Sequence, residues 1–268
     1  MNERIFTQSL ILSFTHSKLK MVQPYQNYTP ADHAMWRRLF EQQMEVLPRI
    51  ASEAYLSGVE KVGFVADRIP NFAVDTNPRL RRLTGWEVFV VPGLIPHQEF
   101  YQHLANRQFP ASTWLRKPEQ LDYLEEPDMF HDTFGHVPLL SNQDFCNFMA
   151  DLSNVALLFI DDEVALQRLS RLYWYTVEFG IIREAGELKI YGGGIISSSG
   201  ESEYCLRDDV PKLAFDVADL LETPYHIDRY QKHYFVIDSY EQLYGSVAEI
   251  NAILEKDAMK STAEAGAD

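Results

Sequence analysis

The segment that most constrains the fold of this chain carries two histidines in a short apolar stretch between prolines. It reads EEPDMFHDTFGHVPLL over residues 125–140 and places His131 and His136 five residues apart. On a regular α-helix, side chains at this spacing point about 140° apart and do not share a face. Gly135 and Pro138 allow the helix to end or distort here. A distorted end could turn both imidazoles toward one point.

A carboxylate occupies a second apolar stretch further along the chain. Glu178 follows the aromatic run LYWYTV at residues 172–177. An ionised carboxylate is unfavourable in such surroundings unless it is paired or bound to a metal. The plainer alternative is an ion pair between Glu178 and Arg168 or Arg171.

Taken together, His131, His136 and Glu178 form a candidate two-histidine, one-carboxylate triad. Such a triad leaves open positions on one face of an Fe(II) ion. Zinc sites also use two histidines and a glutamate, but their common short motif, HExxH, is absent from this sequence. Spacing alone therefore leaves both iron and zinc open.

The local sequence signals predict an α+β fold that is predominantly helical and has a few short strands. Helices are expected near residues 30–48, 50–58, 96–105, 127–134, 144–160, 163–179 and 239–254. The first is expected to begin at Thr29-Pro30, with Thr29 as its N-cap and Asp32 in its first turn, and to bend or end at Pro48. Strands are expected near residues 86–91, 181–183, 188–191 and 234–237. Residues 185–186, Ala-Gly, lie between two of these strands and predict a hairpin.

The size and composition favour one domain with a substantial core. The chain has 268 residues, of which 46% are hydrophobic, and it contains no linker-like stretch. We expect a catalytic domain over residues 21–255, an N-terminal extension over residues 1–20, and a flexible C-terminal tail over residues 256–268.

The charge and the cysteines exclude some classes of partner. The net charge is −15, and the sequence lacks the basic stripe that is typical of a nucleic-acid-binding protein. The negative charge also disfavours binding to anionic membranes. No apolar run approaches the ~20 residues that a membrane-spanning helix needs. Cys146 and Cys205 have apolar neighbours and are predicted to be small buried residues of a reduced, cytoplasmic protein.

The histidine segment and the later YWYTVEFG segment resemble the aromatic amino acid hydroxylases, particularly the short bacterial members. Further stretches of the same family follow in the same order: VVPGLIPHQEF, TWLRKPEQLDYLEEPD and YGGGIISSSGE. Several linked motifs are more specific than one short pattern. The resemblance implies a single catalytic domain of this family's type, with Fe(II) held by His131, His136 and Glu178. It also implies tetrahydrobiopterin or a related tetrahydropterin, O2 as co-substrate, and L-phenylalanine as substrate.

The resemblance also assigns residues to two sides of the metal. The pterin side is implied to comprise Gly93, Leu94, Ile95, Phe100, Asp132 and Tyr173. The amino-acid side is implied to comprise Arg116, Tyr123, Trp174, Phe179, Ser197 and Ser198. In this scheme Phe100 stacks on the pterin, and Arg116 grips the substrate carboxylate through two parallel hydrogen bonds.

Plainer readings exist for several of these residues. Arg116 could form a surface ion pair with Glu119 or Asp122, and Trp174 could be an ordinary core residue. The glycines at residues 192–194 are not followed by GK[ST], so they do not form a phosphate loop and suit close backbone packing instead.

Alternatives to phenylalanine hydroxylation also stay open at this point. They are hydroxylation of tryptophan or tyrosine, a zinc hydrolase that uses the same three ligands, and a non-catalytic binding protein. We expect a monomer or dimer rather than the tetramer of the animal enzymes.

Overall fold

The structure, a computed structural model, describes residues 21–120, 126–227 and 229–265. Its α-helices are α1 (Pro30–Ile50), α2 (Glu53–Val62), α3 (Asn77–Leu83), α4 (His97–Ala105), α5 (Gln143–Leu158), α6 (Glu163–Tyr173), α7 (Gly193–Ser197), α8 (Glu201–Tyr204), α9 (Val217–Glu222), α10 (Tyr240–Gly245) and α11 (Val247–Ala265). Single π-helical turns occupy Phe72–Thr76, Phe130–His136 and Trp174–Glu178. Short 3₁₀ turns occupy Tyr25–Asn27, Pro118–Gln120 and Val137–Ser141.

The strands form two small sheets. They are β1 (Glu87–Val90), β2 (Gln108–Ala111), β3 (Ile181–Glu184), β4 (Glu187–Ile190), β5 (Lys212–Ala214) and β6 (Tyr234–Ile237). β1 and β2 pair in parallel, and the second sheet has the order β4-β3-β6-β5. β3 and β4 form the predicted hairpin, in which Ala185 and Gly186 both have positive φ. The prediction of a mostly helical α+β fold is confirmed.

Helix α1 begins as the sequence predicts but ends later. Thr29 and Asp32 form a reciprocal capping box at its start. The helix continues through Pro48 to Ile50, although Pro48 was expected to bend or end it. Pro48 lacks the N–H of one helical hydrogen bond, and a bond nearer the end, from the Ala51 N–H to the Leu47 carbonyl, still forms at 2.8 Å.

Helix α2 lies later in the chain than the predicted range of residues 50–58. The Ser52 side chain caps its start, and Gly63, in the left-handed conformation, ends it. Gly58 is inside the helix because the helix packs closely on another backbone segment there. A Cβ at residue 58 would lie 2.2 Å from the carbonyl oxygen of Pro138, just after the histidine segment.

The C-terminal helical region differs from the sequence prediction in two ways. The expected single helix over residues 239–254 is divided into α10 and α11. Helix α11 then runs past Leu254 to Ala265, through part of the segment assigned to the tail. The stretch EKDAMK at residues 255–260 consists mostly of good helix formers, which explains the extension.

Aromatic side chains hold the histidine segment in the core. Phe130 and Phe134 stack on each other with ring centroids 4.6 Å apart, and Trp36 of α1 contacts Phe130 edge-on at 5.4 Å. The Tyr55 hydroxyl donates to the Phe134 carbonyl at 2.7 Å. These contacts fix the apolar face of the segment. Within the described residues, no helix has the length and apolar character needed to cross a membrane.

Candidate metal centre

The two histidines share one face because their segment is a π-helical turn. The π-helix closes its hydrogen bonds between residues five apart, and such turns are rare and often functional. His131 and His136 have this spacing within Phe130–His136, and their Nε2 atoms lie 3.3 Å apart. The distortion that the sequence only allowed is therefore the actual geometry.

Glu178 is presented to the histidines by a second π-helical turn, Trp174–Glu178. The Phe179 N–H closes this turn by donating to the Trp174 carbonyl at 2.8 Å. The Glu178 Oε2 lies 3.6 Å from the His131 Nε2 and 3.3 Å from the His136 Nε2.

The three side chains thus form one compact donor group. One ligand atom from each of His131, His136 and Glu178 lies within 4.8 Å of the other two. The ion pairs of Glu178 with Arg168 or Arg171 that the sequence left open do not form. Those arginines pair instead with Glu222, and Arg168 also with Asp257.

Electrostatics favours the metal-binding forms of His131 and Glu178, whereas Glu178 favours the protonated form of His136 as long as no cation takes its place. Burial lowers the pKa of His131 to about 4, although the charge of Glu178 acts in the opposite direction. Burial would raise the pKa of Glu178, but the charge and hydrogen bond of His136, followed by the charge of His131, lower it. Burial opposes protonation of His136 as well, but Glu178 outweighs it and raises its pKa. A neutral imidazole and an ionised carboxylate are the forms in which these groups act as ligands.

Neighbouring groups orient both imidazoles. The Nδ1 of His131 lies 2.9 Å from the Ser197 Oγ, which leaves its Nε2 facing the centre. The ring of Phe109, on β2, packs against the His136 ring with centroids 5.1 Å apart. A hydrogen-bond partner such as Ser197 fixes the tautomer and direction of a metal-binding histidine, and the Phe109 ring restricts the rotation of His136 by packing.

Glycines allow the backbone to approach the centre closely. A Cβ at Gly193 would lie 2.3 Å from the Cε1 of His136, and one at Gly135 would lie 2.7 Å from the Gly193 carbonyl oxygen. A Cβ at Gly192 would lie 2.4 Å from the Glu178 carbonyl oxygen. Close backbone packing, as the sequence predicted, is thus the role of the glycines at residues 192–194.

The substitution Gly193→Ala is expected to weaken metal binding by about tenfold or more, because the new methyl group must displace the His136 ring. The measurement is Fe(II) affinity under anaerobic conditions. Gly245→Ala is the matched control, since a Cβ there meets nothing within 4 Å. Equal affinities of the Gly193→Ala variant and the unsubstituted protein would contradict the close packing described above.

Arg116 is buried and forms an ion pair with Asp128. It does not pair with Glu119, and Asp122, the other partner that the sequence left open, lies outside the described residues. The Nε and Nη2 of Arg116 donate to the two carboxylate oxygens of Asp128 at 2.8 and 2.7 Å. The exposed fractions are 8% for Arg116 and 0% for Asp128. The Asp128 Oδ1 also accepts a hydrogen bond from the His131 N–H at 3.0 Å. Asp128 therefore connects Arg116 to the first residue of the candidate triad.

Sequence reasoning missed Asp128, which it treated only as part of a helix start. Its position three residues before His131, where a side chain can accept from a free backbone N–H, was the available signal. Burial alone would raise the pKa of Asp128, but the hydrogen bonds and charge of Arg116 hold it below its usual range.

The residues assigned to the pterin side lie in the loop before α4, in α4, at the end of α6 and, in the case of Asp132, in the turn Phe130–His136. The rings of Phe100 and Tyr173 meet edge-on with centroids 5.5 Å apart. The Asp132 Oδ2 accepts from the Ser112 N–H at 2.7 Å, and burial raises the Asp132 pKa to about 7.

Residues 93–95 form the loop before α4. Gly93 and Ile95 are half-buried, whereas Leu94 is 74% exposed. The loop leads through Pro96 directly into the helix that carries Phe100. The loop and the Phe100 ring are thus neighbours along the chain, and their shared role in binding a pterin stays a prediction.

The residues assigned to the amino-acid side lie beside the Glu178 turn. Trp174 contacts Phe179 at 4.7 Å between ring centroids and stacks on Tyr225 at 4.4 Å. Ser197 contacts His131, and Ser198 follows it directly. Tyr123 lies outside the described residues. Tyr225 was not identified from the sequence, because it follows Trp174 by about fifty residues and belongs to no motif.

Comparisons with known proteins are consistent with this geometry. The profile of the biopterin-dependent aromatic amino acid hydroxylases matches residues 3–261. The phenylalanine-4-hydroxylase of Ralstonia nicotianae is 50% identical over 225 residues, which make up 84% of this chain and 71% of that protein.

Solved structures agree as well. Chromobacterium violaceum phenylalanine hydroxylase with bound iron(III) and 7,8-dihydrobiopterin gives a TM-score of 0.84 at 44% identity, covering 92% of this chain and 89% of that one. The same enzyme with iron and phenylalanine bound gives 0.82 at 41% identity, covering 91% and 90%. The chain belongs to the biopterin-dependent aromatic amino acid hydroxylases, and the resemblance drawn from its motifs is confirmed.

Proposed function

We propose that this protein is a phenylalanine 4-monooxygenase, which converts L-phenylalanine to L-tyrosine with O2 and a tetrahydropterin at a mononuclear Fe(II) site. The observation that carries the proposal is the convergence of His131, His136 and Glu178 in a member of this family. The relatives named above are phenylalanine hydroxylases, and one of their structures contains phenylalanine.

The donor set fits Fe(II). Two imidazole nitrogens and one carboxylate oxygen converge from two separate π-helical turns. This is the two-histidine, one-carboxylate arrangement typical of non-haem iron oxygenases. When bound, the iron and the tetrahydropterin supply the reduction of O2 that allows one oxygen atom to enter the aromatic ring. The protein's own residues hold and orient the reactants.

Arg116 would bind the substrate α-carboxylate. Its Nε and Nη2 are directed at Asp128, so its orientation is set before any substrate arrives. Its Nη1 keeps N–H groups that can donate to a carboxylate. Asp128 also accepts from the His131 N–H, so it fixes the position of Arg116, which would bind the substrate carboxylate, relative to the metal ligand His131. Positioning of this kind lowers the entropic cost of the reaction.

The remaining residues would divide between the two organic molecules. Trp174 and Phe179 supply an aromatic wall for the amino acid beside Glu178, with Ser197 and Ser198 near its backbone. Phe100 would stack on the pterin, Tyr173 would line the same side, and backbone groups of residues 93–95 would hydrogen-bond the pterin edge. Asp132, whose pKa is raised, would face the pterin, where a protonated carboxyl can donate and an ionised one can accept.

The cytoplasm is the proposed location, and a monomer or dimer is the proposed assembly. Both cysteines are free and buried, as expected for a reduced compartment. A zinc hydrolase with the same ligands is disfavoured, because the family to which the chain belongs uses a pterin. Tryptophan and tyrosine are the alternative substrates within this family.

Product analysis tests the proposal. Anaerobically loaded Fe(II) enzyme is given phenylalanine, tryptophan or tyrosine separately, with tetrahydropterin and air, and the products are separated by chromatography. We expect tyrosine from phenylalanine at the highest rate. A faster hydroxylation of tryptophan or tyrosine would change the substrate assignment, and no hydroxylated product from iron-loaded protein would overturn the function.

A further inference from the structure

Glu201 is a buried carboxylate outside the metal centre, and its partners in the described part of the chain are not cations. It begins α8 and is only 6% exposed. Its Oε1 accepts from the Tyr234 hydroxyl at 2.5 Å and from the Gln231 N–H at 3.1 Å. Burial raises the pKa of Glu201. Burial of a carboxylate is unfavourable unless hydrogen bonds replace the lost contacts with water.

The backbone of Glu201 contacts a segment that lines the metal centre. The Glu201 N–H donates to the Ser198 Oγ at 3.3 Å. Ser198 directly follows Ser197, whose hydroxyl contacts the Nδ1 of His131. The backbone of Glu201 is therefore attached to a segment that contacts the candidate triad.

The carboxylate of Glu201 is connected through Gln231 to the aromatic wall formed by Trp174 and Phe179. Gln231, which is 1% exposed, uses its side-chain amide to bind the backbone of His226. Its Nε2 donates to the His226 carbonyl at 2.6 Å, and its Oε1 accepts from the His226 N–H at 3.4 Å. The residue before His226 is Tyr225, which stacks on Trp174 with rings 18° from parallel. The Tyr175 hydroxyl donates to the carbonyl of Pro224, the residue before Tyr225, at 2.8 Å.

We propose that Glu201 is a positioning residue for the amino-acid pocket, which holds Gln231 so that Tyr225 supports Trp174 from behind. The proposal rests on the proposed function, because Trp174 forms the wall of that pocket. A carboxylate oxygen suits this role, because a single atom accepts from Gln231, in the loop before β6, and from Tyr234, in β6 itself. Without Tyr225 behind it, the Trp174 ring would lose its stacking partner and keep only the contact with Phe179.

The substitution Glu201→Ala tests the proposal through kinetics. We expect the KM for phenylalanine to rise about tenfold, because small displacements of a binding wall are costly, while the KM for the pterin stays within about twofold. Glu201→Gln keeps an acceptor oxygen and is expected to restore a nearly normal KM. Glu203→Ala, on the exposed side of the same helix, is the matched control.

A double-substitution cycle shows whether Glu201 acts through Tyr225. Tyr225→Ala alone should also raise the phenylalanine KM, and combining it with Glu201→Ala should add little, because residues that act through one another are not additive. Additive effects would overturn the proposal. So would a parallel rise of both KM values, or a lowered melting temperature with an unchanged phenylalanine KM.

Hydrogen exchange provides a measurement that does not depend on turnover. In Glu201→Ala, the amides of His226 and Gln231 should exchange at least about tenfold faster, whereas in Glu203→Ala they should not change. If Glu201→Ala does not fold, Tyr234→Phe removes one of the two donors and should shift the same amides less, in the same direction. Unchanged exchange in the folded variants would overturn the proposal. Absence of phenylalanine hydroxylation by the unsubstituted enzyme would instead overturn the proposed function.

Discussion

The Glu178→Gln variant is expected to lose at least about 100-fold in iron affinity or in turnover, while keeping its fold. Even the outer partners of metal ligands contribute about 10- to 100-fold, so a ligand itself should contribute more. The amide matches the carboxylate in shape but carries no charge, and the charge is what His131 and His136 face across 3.6 and 3.3 Å. The measurements are iron content after anaerobic loading, turnover at saturating iron, and circular dichroism.

Glu187→Gln is the control for this variant. Glu187 is an exposed glutamate of β4 that pairs with Lys189, and it lies outside the metal centre. Its substitution should leave iron content and turnover unchanged. Near-normal turnover of iron-loaded Glu178→Gln would show that Glu178 is not a ligand, whatever the control does.

The Arg116→Ala variant is expected to bind phenylalanine much more weakly and also to be less stable. A hydrogen-bonded pair with a charged group contributes about 3 kcal/mol, which corresponds to roughly 100-fold in the phenylalanine KM. Removal of Arg116 also leaves Asp128 as an unpaired charge at 0% exposure, which should cost about 3–5 kcal/mol of unfolding free energy. The measurements are separate KM values for phenylalanine and pterin, and urea unfolding.

Arg207→Ala is a matched control, because Arg207 pairs with Asp209 through the same two-pronged geometry, at 2.9 and 2.7 Å, on the surface. Solvent screens an exposed pair of this kind, so its loss should change the stability little. A rise in the pterin KM alone in Arg116→Ala would mean that the two sides of the site are exchanged. A stability loss no larger than that of Arg207→Ala would contradict the role given to Asp128.

The stability effect of Arg116→Ala should depend on pH in a defined direction. The pKa of Asp128 is lower in the folded protein than its ordinary value of about 3.9. The ion pair therefore stabilises the fold fully above that value and loses its contribution as the pH falls through the folded pKa. The difference in unfolding free energy between the two proteins should be largest near neutral pH and should shrink below about pH 4.

The sequence predicted those parts of the fold that depend on local signals. The capping residues at Thr29 and the turn at residues 185–186 gave the start of α1 and the β3–β4 hairpin. Strand β2 was missed, because it is four residues long, contains Pro110, and exists through parallel pairing with β1 from another part of the chain. Such pairing depends on tertiary structure more than on local preference.

The site shows the same division between local and long-range information. The positions of His131, His136 and Glu178 could be found from residue type and surroundings, but regular helical spacing argued against a common face. The π-helical turns that resolve this conflict are held by packing, such as that of Phe134 on Tyr55. Asp128 lies three residues before His131 and could have been found from that spacing, whereas the contacts of Tyr225 and Glu201 join segments that are distant in sequence. Motif spacing therefore gave no sign of them.

Titration of metal-free protein with Fe(II) tests the central claim most directly. Tyrosine formed from phenylalanine is measured in the presence of tetrahydropterin and air as iron is added, with Zn(II) in a parallel series. The account predicts that tyrosine formation rises with Fe(II), saturates near one iron per chain, stays absent with Zn(II), and requires the pterin. Tyrosine formation without iron, with Zn(II), or without pterin would contradict it.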